Sequence, residues 1–440
     1  MGLRVIPGNR RRRDAPGPND PRCTHNVAMI VWSCRASSAP RRRPAPNRRG
    51  RGHISQARPR GLEIDRCMNT RLKRALLALG FGAAAAVVAA NAASLSPTGP
   101  SAANVTFRTV SVVAEPVSLH FEHQNVERVD GLTYLGGIEI KSDDPRFGGL
   151  SGLRVSPDGQ TMLAVSDHGS WVGATLQYSQ GRLTGVSDLV IAPILNSEGR
   201  TLPELDKVHA DAEALTEIPG SGLVVAFEGD HRLWHYGASL TDAFHDKRPL
   251  PLPLPVDMVQ TIAQLPSNMG IEGLTTLLNG DILAIAEGGL DKENETLKAW
   301  LVGRSGIRML AYHARDNFKP TDLATLPNGD ILVLERRFTL LQGLATRLRR
   351  VRAASLHDDA PLEGEIVATL AFPYNIDNME GLAVRRNEAG ETLVYMVSDD
   401  NFNPLQRTLL MMFRLEDAPR TPEPQPMPEP TPGVILAAGQ

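Results

Sequence analysis

Between residues 149 and 410, short apolar runs separated by Gly-bearing polar turns repeat one unit five times. Gly149-Leu150-Ser151-Gly152-Leu153 leads through Ser156-Pro157-Asp158-Gly159 into MLAVSDHG (162–169). Asp211-Ala212-Glu213-Ala214-Leu215 leads through Pro219-Gly220-Ser221-Gly222 into LVVAFEGD (223–230). Gly270-Ile271-Glu272-Gly273-Leu274 leads through Asn279-Gly280-Asp281 into ILAIAEGG (282–289). Pro320-Thr321-Asp322-Leu323 leads through Asn328-Gly329-Asp330 into ILVLERR (331–337), and Asn378-Met379-Glu380-Gly381-Leu382 leads through Glu388-Ala389-Gly390 into LVYMVSDDN (393–401). Each unit predicts two strands joined by a tight turn, with polar residues where the second strand ends.

Counted from residues 151, 213, 272, 322 and 380, the steps are 62, 59, 50 and 58 residues. A hairpin of this kind cannot bury both faces alone, and repetition at that spacing predicts blades packed around an axis. The fold class expected is therefore all-β, a β-propeller of six blades, with five to seven compatible with the spacing. Five matched hairpins fit a generic β-sandwich less well. Residues 104–141 carry further strand pattern, enough for another blade or for the strand that closes the ring. The fourth unit is one residue short, which leaves the register of Glu335-Arg336 against the other units open.

The flanks are of another kind. Met68 to Arg74 is a short basic start, Ala75 to Ala90 is apolar, and Ala90-Asn91-Ala92 is a small-x-small site before Ala93. That order is a secretory leader over 68–92, and its apolar stretch is shorter than the roughly 20 residues a membrane span needs. Residues 1–67 hold sixteen Arg against four acids and read as translated upstream DNA rather than as a folded part, a basic arm being the alternative. Residues 93–103 read as a linker, 104–417 as the propeller domain and 418–440 as an unpacked Pro-rich tail. The chain's net charge of −2 hides this segregation, because residues 93–440 carry 28 bases and 45 acids, a net of −17. So acidic a surface excludes nucleic acid as a partner. Cys23, Cys34 and Cys67 all precede the domain, which excludes a disulfide framework, a thiolate metal site and a cysteine nucleophile within it. The expected location is periplasmic or secreted, with no stable membrane insertion after leader cleavage.

In a propeller, the ends of the repeated strands gather around the channel mouth. Ser151, Asp211, Glu213, Glu272, Asp322 and Glu380 recur before the Leu, and Asp167, His168, Glu228, Asp230, Glu287, Glu335, Asp399 and Asp400 follow the second strand. Carboxylates so gathered cannot all ionise without a counter-charge, and Ca²⁺, which takes six to eight oxygen ligands, is the expected cofactor. The candidate metal ligands are Asp167, Asp211, Glu228, Glu287, Asp399 and Asp400. The candidate catalytic residues are Glu213, Glu272, Glu380, Arg336 and His168. Any one of these acids is also a good turn residue with a solvated side chain. Leu150-Ser151-Gly152 lacks the strand-to-helix context of a serine nucleophile. Arg336 sits at a repeat end with the acids and suits an anionic oxygen, whereas the alternating run from Arg347 to Val351 reads as a solvated strand face.

FGGLSGLRVSPDG (147–159), AVSDHG (164–169), DAEAL (211–215), FEGD (227–230), MGIEGL (269–274), LERRF (334–338), NMEGLA (378–383) and VSDDNFNPLQRTLL (397–410) together resemble the phytase-like family of exported bacterial proteins, also called esterase-like activity of phytase. The resemblance runs over about 145–415. It implies a propeller related in shape to calcium-dependent phytases, whose phosphate site combines bridging Ca²⁺ ions, carboxylates and basic residues. Members often read Ser-Asp-Arg-Gly where this chain has Ser166-Asp167-His168-Gly169, so an imidazole stands in place of a guanidinium here. Two functions follow. One is metal-assisted hydrolysis of a small phosphate or carboxylic ester at the mouth, and the other a non-catalytic binding or scaffolding propeller of the cell envelope. Protein isolated from its native host is expected to begin near Ala93. N-terminal sequencing tests this, and a chain that retains Cys23 or Cys34 contradicts it.

Overall fold

The computed structural model describes residues 108–237, 248–252, 254, 256–303 and 306–416. The leader, the segment before it, the linker and the Pro-rich tail lie outside the described residues. Within them the domain is a propeller of five blades, the lower bound of the expected range. All five sheets are antiparallel, and their innermost strands, Leu150–Val155, Ala212–Ile218, Ile271–Thr276, Lys319–Thr325 and Asn378–Arg386, pack side by side around one axis. The blades are numbered 1 to 5 in that order. Two short α-helices, Lys207–Ala210 and Val256–Ile262, are the α-helical segments among the described residues.

The segment before the first repeat unit closes the ring instead of adding a sixth blade. Leu132–Lys141 pairs antiparallel with Leu409–Leu415, so the fourth strand of blade 5 comes from the opposite end of the domain. Val113–Pro116 extends that sheet, and Arg108–Thr109 lies along the outer strand of blade 1. The start and the end of the domain are thereby tied by backbone hydrogen bonds within blade 5, and the segment from Arg108 to Pro116 passes from the outer edge of blade 1 to that of blade 5.

Apolar residues on both faces of each blade meet those of its neighbours. Five buried clusters result, one at each blade interface, and no single central core exists. The leucine that marks each repeat is the inner anchor: Leu153, Leu215, Leu274, Leu323 and Leu382 are all fully buried. The residue before it faces the adjacent inner strand. A Cβ at Gly152 would lie 2.6 Å from the Leu215 nitrogen, one at Gly273 2.8 Å from Leu323 Cγ, and one at Gly381 2.9 Å from Leu153 Cβ. Glycine there is what lets neighbouring strands come so near.

Strand pairing settles the register of the fourth unit, which is not one residue short as its sequence suggests but begins at Lys319. Leu323 pairs with Val333, as Leu153 pairs with Ala164 and Leu382 with Met396. The residue two before the leucine is therefore Thr321, matching Ser151, Glu213, Glu272 and Glu380. Asp322 instead occupies the Gly/Ala position and does not belong to the mouth. Its fully buried carboxylate accepts from the backbone N–H of Leu382 (2.7 Å), Leu323 (2.7 Å) and Leu153 (3.4 Å), and lies 3.9 Å from Arg154 Nη1. Arg154 in turn donates to the carbonyls of Leu382 (2.9 Å) and Leu274 (2.8 Å). The pair staples blades 1, 3, 4 and 5 across the axis. Burial pushes the Asp322 carboxyl up to about 7, against the lowering effect of Arg154 and the three N–H donors.

Removing one partner of a buried pair strands the other. Asp322→Ala is expected to lower stability by about 3 kcal/mol in urea denaturation, the low end for such pairs because Arg154 keeps some solvent contact. Adding Arg154→Ala to it should cost less than the sum of the single losses. Strict additivity of the two would show that the staple carries no coupling.

Candidate functional site at the channel mouth

The five inner strands begin at one end of the axis, and there each carries a β-bulge. Glu213, Glu272, Thr321 and Glu380 are the residues left unpaired in blades 2 to 5, and Gly152 beside Ser151 is the one in blade 1. A bulge releases a residue from the ladder and re-aims its side chain, here toward the axis. Three positions beyond the residue that faces each leucine, at or near the mouth end of the second strands, stand Asp167, Glu228, Glu287, Arg336 and Asp399. Arg336 thus takes the place that a carboxylate holds in the other four blades. Glu335 is displaced into the body of blade 4, where it meets Arg347 (2.7 Å), Tyr312 (2.7 Å) and Arg349 (3.4 Å). Arg347 and Arg349 are buried there, not solvated on a strand face as their alternation suggests.

The two rings enclose a cavity of about 570 Å³. Nine carboxylates and two cationic side chains line it. Nine of the eleven sequence candidates are brought together here: Asp167, Asp211, Glu213, Glu228, Glu272, Glu287, Arg336, Glu380 and Asp399. The other two are not among the lining residues. Asp400 accepts from the Gly149 and Phe402 nitrogens and from Thr408 Oγ1, so its carboxylate braces the adjoining loop. His168 is exposed and stacks on Phe402, with ring centroids 3.9 Å apart.

Lys207, Asn268, Asp377, Asn401 and Gln406 also line the cavity, as do Phe338 and Leu344. Asn401 closes the fifth repeat unit, and the others lie outside the five units. Only Lys207 had a sequence signal, four residues before Asp211. Its helix, capped by Asp206, brings Nζ to 2.7 Å from Asp167 Oδ2 and 3.3 Å from Asp211 Oδ1. Lys319 reaches Glu287 at 3.1 Å, and Arg336 places Nε 2.8 Å from Glu380 and Nη2 3.7 Å from Glu287.

These cations are too few for so many acids. Burial, then the neighbouring Asp211, Glu228 and Asp167, raises the Glu213 carboxyl well above its ordinary value. Burial, then Glu213, Glu287, Glu380 and Glu228, does the same to Glu272. Burial lifts Glu380 to about 8 despite Arg336, and Asp399 to about 7 with help from Asp167 and Asp400. Two groups are spaced to share an ion. Ligand oxygens of Asp211, Glu213 and Glu228 lie within 4.8 Å of one another, as do those of Glu228, Glu272 and Glu287, with Glu228 common to both. Asp167 Oδ1 and Glu380 Oε2 are buried without a hydrogen-bond donor, and Asp211 Oδ1 is buried with the Lys207 ammonium 3.3 Å away. An all-oxygen set with unclaimed lone pairs fits a hard divalent cation.

The model of the phytase-like family, described as esterase-like activity of phytase, matches residues 145–402 and so takes in all five inner strands and both rings. The chain belongs to the phytase-like family. Comparison with curated protein sequences finds no match. Among solved structures, a protein of unknown function from Dyadobacter fermentans is 14% identical, with a TM-score of 0.34 over 69% of this chain and 91% of its own. A gluconolactonase from Xanthomonas campestris is 11% identical, with a TM-score of 0.34 over 70% of this chain and 99% of its own. The β-propeller domain of Cps50 (Swd1) from Myceliophteria thermophila is 9% identical, with a TM-score of 0.30 over 68% of this chain and 99% of its own.

In this phytase-like domain the raised carboxyls set a pH dependence of stability. A folded pKa above the unfolded one means that the native state binds more protons between the two values. The stabilisation is complete below the unfolded value of about 4 and is lost as pH rises through the folded values. With chelator present, the melting temperature is therefore expected to fall between pH 5 and pH 8.5, through the ionisation of Asp399 near 7 and Glu380 near 8. A rise over that interval would contradict the burial of these groups.

Proposed function

We propose that this propeller is an exported, metal-assisted ester hydrolase acting at the channel mouth, with phosphate esters as the better-fitting substrates. The observation that carries the reading is Arg336 standing in a carboxylate's place, beside two carboxylate groups that share Glu228. A guanidinium there has no structural need of a neutral carboxylic ester, whereas it matches the charged oxygens of a phosphate. Family membership and the leader-like segment 68–92 support the hydrolase and its export, and among the described residues no helix is long and apolar enough to cross a membrane.

Asp211, Glu213 and Glu228 would hold one cation, and Glu228, Glu272 and Glu287 a second, with calcium the expected metal. Bound divalent cations supply Lewis acidity toward a substrate oxygen and lower the pKa of an attacking water. Glu213 and Glu272 hold protons in their absence and must release them to become ligands, so affinity increases with pH. Arg336 orients the ester's anionic oxygens and stabilises the charge that develops on them. Glu380, near 8, keeps a proton at neutral pH and lies against Arg336, which suits it to protonate the departing alkoxide.

Calcium at 100 times its Kd should stabilise the native state by roughly 2.7 kcal/mol. Gln at Glu213, Glu272 or Glu380 should each cost at least about tenfold in rate, about 1.4 kcal/mol of barrier. Both are read on the purified domain, by melting with calcium or chelator and by assays on phytate and an aryl phosphate under saturating calcium. Full activity in all three variants would move the active site away from the mouth. No turnover of any ester by the native sequence would leave a binding propeller.

A further inference from the structure

Two of the residues that line the acidic cavity are fully apolar, and both belong to one hairpin of blade 4. Phe338 lies two residues beyond Arg336 on the same strand and pairs directly with Leu344 across the ladder. Alternation along a strand puts positions 336 and 338 on one face, so the guanidinium and the phenyl ring address the same cavity. Neither is buried away: Phe338 is 67% exposed. Past Phe338 the hairpin turns through Leu340 and Leu341, which are 94% and 98% exposed. The turn itself is held by Thr339 Oγ1, which accepts from the Gln342 nitrogen, and by Gly343 at φ 69°. A well-made turn that presents two leucines to water does not arise from folding need, since neither contributes to a core.

The connection between the second and third strands of any blade lies at the mouth end. That places this tip on the functional face, with Leu405 (90% exposed) on the corresponding loop of blade 5, next to the cavity-lining Gln406. A cation and an apolar track in sequence, leading outward from one cavity, match a ligand that is anionic at one end and apolar at the other.

We propose that the substrate is an amphiphilic ester whose anionic group is held at Arg336 and whose alkyl or aryl arm lies along Phe338, Leu344 and the Leu340-Leu341 tip. This deepens the hydrolase reading and rests on it for the identity of the reacting group. Polyanions such as phytate present no apolar arm to this track. Specificity therefore runs with the length of the apolar arm, because each methylene removed from water contributes about 0.8 kcal/mol at full burial.

The test separates binding from turnover. Non-hydrolysable methyl-, butyl- and octylphosphonate are titrated calorimetrically into the whole mature protein under saturating calcium, below their micelle concentrations. Octylphosphonate is expected to bind at least about thirtyfold tighter than methylphosphonate. In the double variant Leu340→Ser/Leu341→Ser and in Phe338→Ser that ratio should drop below about threefold, with an unchanged circular dichroism spectrum and melting temperature. Equal affinities across the series, or a ratio the variants leave intact, overturn the proposal even if esters are hydrolysed. A native dimer that the double variant makes monomeric, with the ratio intact, assigns the tip to self-association and likewise overturns it. Chain-length-dependent binding without turnover of octyl phosphate keeps the amphiphile site and removes the hydrolase reading instead.

Discussion

Five inner strands must pass close to one axis, and in blades 1, 3 and 5 the packing of Gly against the neighbouring inner strand is what permits it. The repeated leucines are fully buried, while Gly152, Gly273 and Gly381 leave no Cβ in the gap. Everything at the mouth depends on this approach. It brings the bulged residue of each strand to a common perimeter, where three glutamates have no direction to face but one another. The bulge and the glycine adjoin in sequence, so one short motif both narrows the axis and re-aims a side chain into it.

The electrostatic consequence is a site that resists full ionisation. Lys207, Lys319 and Arg336 each neutralise acids at the perimeter, yet Glu213 and Glu272 remain buried among carboxylates with their pKa values raised. A structure that needed only to fold would place apolar groups there, as the Gly/Ala position does one residue further along. Below the mouth the same axis is handled differently. Asp322 and Arg154 neutralise one another and satisfy backbone groups of four blades, which makes that level a structural plug.

Blade 4 departs from the repeat, and its departures fall together. Its inner strand keeps the common register but carries Thr321 at the glutamate position and Asp322 at the Gly/Ala position, in the plug. Its second strand brings Arg336 to the acid position and turns Glu335 toward buried Arg347 and Arg349. The same hairpin carries the apolar residues of the cavity. One blade thus supplies Arg336 and the apolar contacts of the mouth, Lys207 enters from the connection before blade 2, and the carboxylate groups shared through Glu228 come from blades 2 and 3.

How much of this was legible in the residues depended on range. Hairpin periodicity, the Gly-bearing turns and the polar residues at strand ends are local properties, so the propeller class could be read directly, as could nine candidates that come to line one cavity. Blade number could not: whether Leu132–Lys141 began a sixth blade or closed the fifth depended on its pairing with Leu409–Leu415, at the other end of the domain. Register in the fourth unit was equally out of reach, because Asp322 looks like its counterparts until Leu323 is seen opposite Val333. Asp400 was expected as a metal ligand and His168 as a catalytic residue for the same reason, since the Gly149 nitrogen that donates to one and the Phe402 ring stacked on the other lie in segments that only folding brings alongside. Lys207, Asn268 and Gln406 sit outside the repeated hairpins, where no period marks them. Chain-local chemistry therefore determined which groups gather at the mouth. Long-range strand pairing decided how they face one another, because register is a relation between segments and no single segment contains it.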